Sequence, residues 1–208
     1  MGLLAIEEVR GAAAEAEKAE FFETPRRAVE ELLASGPDLP GGRWLDPCAG
    51  RGIIPRVVLE QRTDVHFALV ELRSICRTEL EQLGADDLVI GDFLRDDRAA
   101  AAAAGAQVVI MNSPFTLTLP FVLRAWELSD AWVVSLQRQG WFGSQERAEW
   151  LSEHCPDRYT LPFRPSFRAD RRTDGCEYEW HIWPPGPGRN RRAGVTAMLR
   201  DRRQLSLF

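Results

Sequence analysis

Lysine is almost missing from this 208-residue chain: Lys18 stands alone against 25 arginines, which with the alanine-rich stretches reflects GC-rich coding. Cysteine is sparse. Cys48, Cys76, Cys155 and Cys176 are scattered, with no pair at metal-ligand spacing, so the sequence predicts free thiols and no metal centre. A core of this size needs no disulfide framework. Long apolar runs are missing too. The longest stretch without charge, residues 99–123, is interrupted by Gln107, Asn112, Ser113, Pro114 and Pro120, which excludes a membrane span. Residues 3–6 are too short for a signal peptide and run straight into Glu7 and Glu8. A soluble, cytoplasmic protein is the expectation.

What is present can build a core. Apolar residues make up 45 % and charged residues 27 %, which excludes disorder as the main state and suits one domain with appendages. The net charge of −5 hides an asymmetry. Residues 156–203 hold 11 arginines and 6 acidic residues, net +5, and the remainder carries net −10. A basic quarter on an acidic body is compatible with a polyanion partner.

Residues 7–20 read as an acidic, alanine-rich N-terminal helix. A second helix is predicted from Thr24 as N-cap and Pro25 at the first helical position, running to Leu33. Beyond the turn at 37–42, apolar runs at 43–45, 66–70, 88–90, 107–111 and 131–136 alternate with helical segments at 54–61, 74–83, 119–128 and 145–153. This rhythm predicts a parallel sheet covered on both faces. Two last strands, 159–163 and 177–183, suit a closing antiparallel pair. Residues 184–203 then lose all periodicity and read as a basic linker, with a coil reach of roughly 25 Å.

Trp44–Leu45–Asp46–Pro47–Cys48–Ala49–Gly50–Arg51–Gly52 leads from a strand into a helix, where glycines allow a tight turn and bare backbone against a ligand. A dinucleotide site wants G-x-G-x-x-G, but the third glycine position holds Pro55, and it would set a pyrophosphate on the helix N-terminus. S-adenosylmethionine has no phosphate and carries an ammonium group, which suits Asp46 ahead of the glycines. Glu71, ending the next strand, can accept both hydroxyls of a ribose for either cofactor. After the third strand, Asp92 is placed to bond an adenine amino group and Phe93 to pack on its ring.

The buried run 108–111 ends in Asn112–Ser113–Pro114–Phe115 at the edge of the sheet where ligands bind. The exocyclic nitrogen of adenine is a poor nucleophile because its lone pair is delocalised into the ring. Two acceptors bonding its hydrogens, the Asn112 amide oxygen and the Ser113 carbonyl, favour a pyramidal nitrogen and free that pair. Pro114 stiffens the turn, and Phe115 can stack on an extruded base. The plain alternative is an Asn-Ser-Pro turn before a core phenylalanine.

On these residues, 21–183 resemble the adenine-N6 DNA methyltransferases, particularly small phage-type members. Phe21–Phe22–Glu23–Thr24–Pro25 resembles the family's N-terminal cofactor motif, Asp46–Gly52 its glycine motif, and Asn112–Phe115 its catalytic (N/D)-P-P-(Y/F), in gamma-like order. Arg164–Pro165–Ser166–Phe167 and Glu177–Tyr178–Glu179–Trp180 resemble the closing hairpin of phage-type relatives. The resemblance implies a Rossmann-like fold with a mostly parallel seven-stranded sheet and a C-terminal antiparallel hairpin. It also implies S-adenosylmethionine as cofactor, DNA as partner, a bacterial or phage-infected host cell, and Phe167 as a second aromatic near the target base. Two departures stand out. Ser113 replaces the usual first proline, keeping the carbonyl but losing rigidity, which points to slow turnover or an unusual substrate. There is no room for a separate target-recognition domain, so Arg168, Arg171 and Arg172 in the 168–175 loop are the expected phosphate-holding residues.

Gln204–Leu205–Ser206–Leu207–Phe208 resembles the bacterial sliding-clamp-binding motif Q-L-(S/D)-L-F at all five positions. Leu207 and Phe208 would fill an apolar pocket on the clamp, with Gln204 fixing register, and the clamp would raise the local concentration of DNA. The alternative is a tail folded onto its own domain, with 197–203 as a short helix. Three functions follow: a clamp-recruited adenine-N6 DNA methyltransferase, a catalytically weak clamp-binding protein of the same fold, or a methyltransferase of RNA or protein glutamine.

Overall fold

Strict alternation along the central strands divides their side chains between two cores. In β1 (Gly42–Asp46), Trp44 faces one core and Leu45 the other, and in β4 (Val108–Met111) Val108 and Ile110 oppose Val109 and Met111. A strand apolar on both faces requires cover on both faces. A computed structural model, which describes residues 22–167 and 175–201, supplies it with helices on each side. Helices α1 (Arg26–Ser35), α2 (Ile53–Gln61) and α3 (Arg77–Glu81) bury Leu32, Val57 and Leu80 in the first core. Helices α4 (Asp97–Ala101), α5 (Thr118–Leu128) and α6 (Gln145–Glu153) bury Ala99, Val122 and Leu151 in the second.

The remaining strands are β2 (Val65–Glu71), β3 (Asp87–Ile90), β5 (Trp132–Arg138), β6 (Asp157–Thr160), β7 (Tyr178–Trp183) and β8 (Thr196–Met198). Their spatial order is β3-β2-β1-β4-β5-β7-β6-β8. Strands β1 to β5 are parallel, and β7 runs antiparallel to both β5 and β6, which is the expected closing pair. The chain reverses its winding between β1 and β4, so a crevice opens beyond the C-terminal ends of those two strands. Both the glycine turn and the Asn112 turn leave the sheet there.

The stretch 184–203 departs from the sequence reading over its described part. It is not a free coil. β8 pairs in parallel with β6 as an eighth strand, from Arg158↔Thr196 to Thr160↔Met198, where a short helix was the alternative expectation. Gly194 passes so close to Pro156 that a Cβ there would stand 2.0 Å from the Pro156 carbonyl oxygen. Arg189 is buried and donates to the carbonyls of Trp126, Ser129 and Ala131, locking the segment onto the end of α5. Beyond β8, Asp201 pairs with Arg27 at 2.9 Å and the Arg200 amide donates to Ser35 Oγ at 2.9 Å. Arginines that the composition offered to a polyanion are thus partly used internally: Arg158 faces Glu179, Arg164 Glu177, Arg191 Asp157 and Arg192 Glu153. The predicted N-terminal helix at 7–20 and the 204–208 motif lie outside the described residues. No helix among the described residues is long and apolar enough to cross a membrane.

Candidate active site

The turn from β1 into α2 is shaped by two left-handed glycines, Gly50 at φ 56° and Gly52 at φ 78°. Gly52 caps α2, and its left-handed backbone is what demands glycine; a Cβ there would also stand 2.5 Å from Leu83 Cδ1, the movable end of a side chain. Asp46 lies buried beneath this turn. Its Oδ1 accepts from the Cys48 amide at 3.1 Å, while Oδ2 is buried without a partner among the described residues. Burial pushes the Asp46 carboxyl up to about 8, against the pull of the Cys48 N–H and helped by the charge of Glu71. The same burial, with Asp46 and Glu71 close by, holds the Cys48 thiol well above its usual range, so Cys48 is no nucleophile.

Glu71 at the end of β2 ties the turn to the next loop. Its Oε2 accepts from the Gly50 amide at 2.7 Å and its Oε1 from the Arg73 amide at 2.9 Å. Beyond β3, Asp92 accepts from the Leu94 amide at 2.9 Å and so shapes its own turn. Phe93 is a partial departure from expectation: it touches the cleft, but its ring is buried in the core and stacks on Phe121 at 5.7 Å. A side chain the sequence did not single out, Leu72, gives the cleft an exposed apolar wall beside Glu71, and its only signal is its place after a carboxylate-ended strand.

Opposite stands the second turn. β4 is wholly buried and delivers Asn112 into the crevice. The Asn112 backbone amide lies on the Cys48 side and opposes the upward shift of that thiol. Its side-chain Nδ2 donates to the Phe22 carbonyl at 3.3 Å, and its Oδ1 is buried without a partner among the described residues. Phe115 carries an aromatic cluster: Phe22 lies against it at 6.2 Å and 28°, Phe167 meets it edge-on at 5.9 Å, and the Arg138 guanidinium sits 4.8 Å from its ring centre. Phe22 therefore covers one face of the Phe115 ring.

The cleft so formed has an empty volume of about 1040 Å³, open solvent at its mouth included. It brings together Thr24, Pro47, Gly50, Glu71, Asp92, Phe93, Asn112, Ser113, Pro114 and Phe115. Asp46 stays beneath it and Gly52 behind it. Pro25 sits at the N-cap of α1, so that helix starts one residue later than predicted. Phe167 reaches the cleft through Phe115. Arg168, Arg171 and Arg172 lie outside the described residues.

Neither a protein-family model nor a curated protein matches the sequence. Solved structures do match. One is the methyltransferase subunit of a type I restriction-modification system from Streptococcus thermophilus, with TM-score 0.56, 15 % identity, 79 % of this chain and 45 % of the subunit. This chain thus spans less than half of that subunit's length. Another is a Listeria monocytogenes protein assigned to the class I S-adenosylmethionine-dependent methyltransferases, with TM-score 0.55, 14 % identity, 94 % of this chain and 72 % of the other. A third, from Agrobacterium tumefaciens and predicted to be an O-methyltransferase, has TM-score 0.59 and 17 % identity over 85 % of this chain and 86 % of the other. With its strand order and antiparallel β7, the chain has the Rossmann-like fold of the class I methyltransferases.

Proposed function

We propose that this protein methylates the exocyclic N6 of adenine in DNA, using S-adenosylmethionine. The observation that carries the reading is the Asn112 Oδ1, buried and unpartnered among the described residues, set beside Phe115 in the cleft that holds the glycine turn and Glu71. A buried amide oxygen without a donor calls for a ligand N–H.

The cleft fits the cofactor by its chemistry. Glu71 and Asp92 place carboxylates at the cleft, and Asp46 beneath it holds a carboxyl group that a bound cation would ionise, which suits a cationic ligand over a pyrophosphate. Glu71 would hold the ribose, Asp92 and Leu72 the adenine, and the field of Asp46 with Thr24 the methionine end. When bound there, S-adenosylmethionine supplies a methyl group on a sulfonium sulfur. The protein's own residues do the rest. Asn112 Oδ1 and the Ser113 carbonyl accept the two hydrogens of the target amine, Phe115 stacks on the base, and the surrounding rings exclude water. No strong base is needed, because the nitrogen becomes acidic once methylated. Phe22 leaves the face of Phe115 as the base enters.

DNA is favoured as the substrate by the resemblance of the Arg164–Phe167 and Glu177–Trp180 segments to a phage-type closing hairpin. The test is labelled-methyl transfer to DNA, RNA and protein, followed by digestion and identification of the product. N6-methyladenine in DNA is the expected product; label in RNA or in glutamine overturns the DNA assignment and leaves the fold.

Recruitment by the sliding clamp is part of the same proposal. Because Asp201 is held against α1, the three steps to Gln204 span roughly 10 Å at most, in place of a long tether. The clamp would therefore sit close to the domain. Deleting 204–208 is expected to abolish binding to a bacterial clamp while leaving cofactor binding intact; unchanged clamp affinity, or none before the deletion, removes that partner.

A further inference from the structure

We infer that a buried chain of side-chain hydrogen bonds, Ser113–Thr118–Gln137–Ser135, holds the Asn112–Phe115 turn in shape, with Thr118 and Gln137 as positioning residues; this rests on the reading of that turn as the corner that grips the substrate amine. The four come from the turn, the first residue of α5 and the C-terminal half of β5, and none is more than 2 % exposed. Ser113 Oγ donates to Thr118 Oγ1 at 3.3 Å, Thr118 Oγ1 donates to Gln137 Oε1 at 3.0 Å, and Gln137 Nε2 donates to Ser135 Oγ at 3.0 Å. A hydroxyl has one proton, so each group accepts from its predecessor and donates to its successor.

Thr118 Oγ1 is the hub. It also lies 3.4 Å from the Pro114 carbonyl oxygen and 3.3 Å from that of Phe115, which are alternative acceptors for its one proton, at longer distances than Gln137. Packing does not explain this polarity, since β5 is otherwise apolar where buried, and Ser135 and Gln137 occupy core positions. The strand anchors them, with Gln137 opposite Glu179 and Ser135 opposite His181 on β7.

Rigidity is what the chain supplies. A proline at 113 would fix φ through its ring, whereas serine leaves that torsion to its surroundings. Here any swing of the turn strands the Ser113 hydroxyl in the interior, where an unmade bond keeps its full desolvation cost. The backbone of Ser113 and the buried Asn112 Oδ1 beside it are thereby held in place at the cleft wall. The serine that departs from the family pattern is tied in from beneath, so it is no sign of decay.

Thr118→Val preserves shape and deletes the hydroxyl; Thr118→Ser keeps it. We expect Thr118→Val to lower kcat about tenfold with KM for S-adenosylmethionine unchanged, and Thr118→Ser to match the wild type within about twofold. Ser113→Pro placed in the Thr118→Val background should restore most of the loss, because the ring replaces the chain. Hydrogen–deuterium exchange of the 115–117 amides, read without any substrate, should quicken in Thr118→Val and slow again in the double variant. If Thr118→Val does not fold, Ser113→Ala cuts only the first link and carries the same comparison. Wild-type kcat and exchange in the hydroxyl-deleted variant, or a loss that Ser113→Pro fails to relieve, overturns the chain. A wild type that methylates nothing overturns the reading of the turn instead, and the exchange measurement still decides on the chain.

Discussion

Replacing Asn112 by alanine is expected to lower the single-turnover rate of methyl transfer by about 10³-fold while cofactor affinity stays within about threefold. The size follows from deleting one preorganised polar group at the reacting atom, which typically costs about 10²–10³ in rate. The asymmetry between rate and affinity follows from position. Asn112 stands on the Phe115 side of the cleft, and its free Oδ1 is not engaged by the glycine turn or by Glu71. Its amide nitrogen is spent on the Phe22 carbonyl, so Asn112→Asp keeps an acceptor for the amine while setting its second oxygen against that carbonyl in place of a donor. The aspartate variant should retain more activity than the alanine one. Single-turnover assays with tritiated cofactor and calorimetry on both variants check the ranking. Equal losses in the two variants would place the amine elsewhere, and loss of cofactor binding in either would move Asn112 to the cofactor's side.

The parts of this site that were readable in the sequence are those fixed locally. The glycine turn declares itself because Gly50 and Gly52 adopt torsions few other residues tolerate, and the Asn112–Phe115 corner because a buried strand must end somewhere polar. The strand rhythm fixed the sheet for the same reason: residues apolar on both faces admit few alternatives. What escaped depends on distance or on ambiguous chemistry. The Asn112–Phe22 bond joins residues 90 apart, and no local pattern announces it. Helix α4 hid in an alanine run, although Asp96, whose carboxylate accepts from the Arg98 amide at 2.8 Å, was its start signal. Most instructive is Arg189. An arginine in a Pro/Gly-rich stretch reads as solvated, yet its planar fork can cap several carbonyls at once, and here it makes a strap of what looked like a tether.

Asp46 makes binding and stability depend on pH in opposite senses. Its carboxyl titrates near 8 in the fold, against 3.8 as the reference for the unfolded chain. The folded protein therefore keeps a proton that the unfolded chain has already released across that window. Stability falls as pH rises from about 4 to about 8, and the penalty is complete above 8. An asparagine side chain at this position cannot ionise but can still accept from the Cys48 amide, so Asp46→Asn should melt several degrees higher than the wild type at pH 8.5, with the difference shrinking towards pH 5. A cationic ligand reverses the balance. An ammonium near Asp46 and Glu71 favours the ionised form, so binding at pH 7 should release a proton, and affinity should rise with pH up to about 8. Asp46→Asn should weaken S-adenosylmethionine binding by about 10- to 100-fold at pH 8 and flatten that pH dependence, since a lost charge interaction of one to two pKa units corresponds to that range. Melting curves at the two pH values, and calorimetry at pH 7 in buffers of different ionisation heat, measure both effects. A stabilised variant that binds as tightly as the wild type would make Asp46 a buried cost with no ligand to justify it, and would direct the search for the cationic end of the ligand to Glu71 alone.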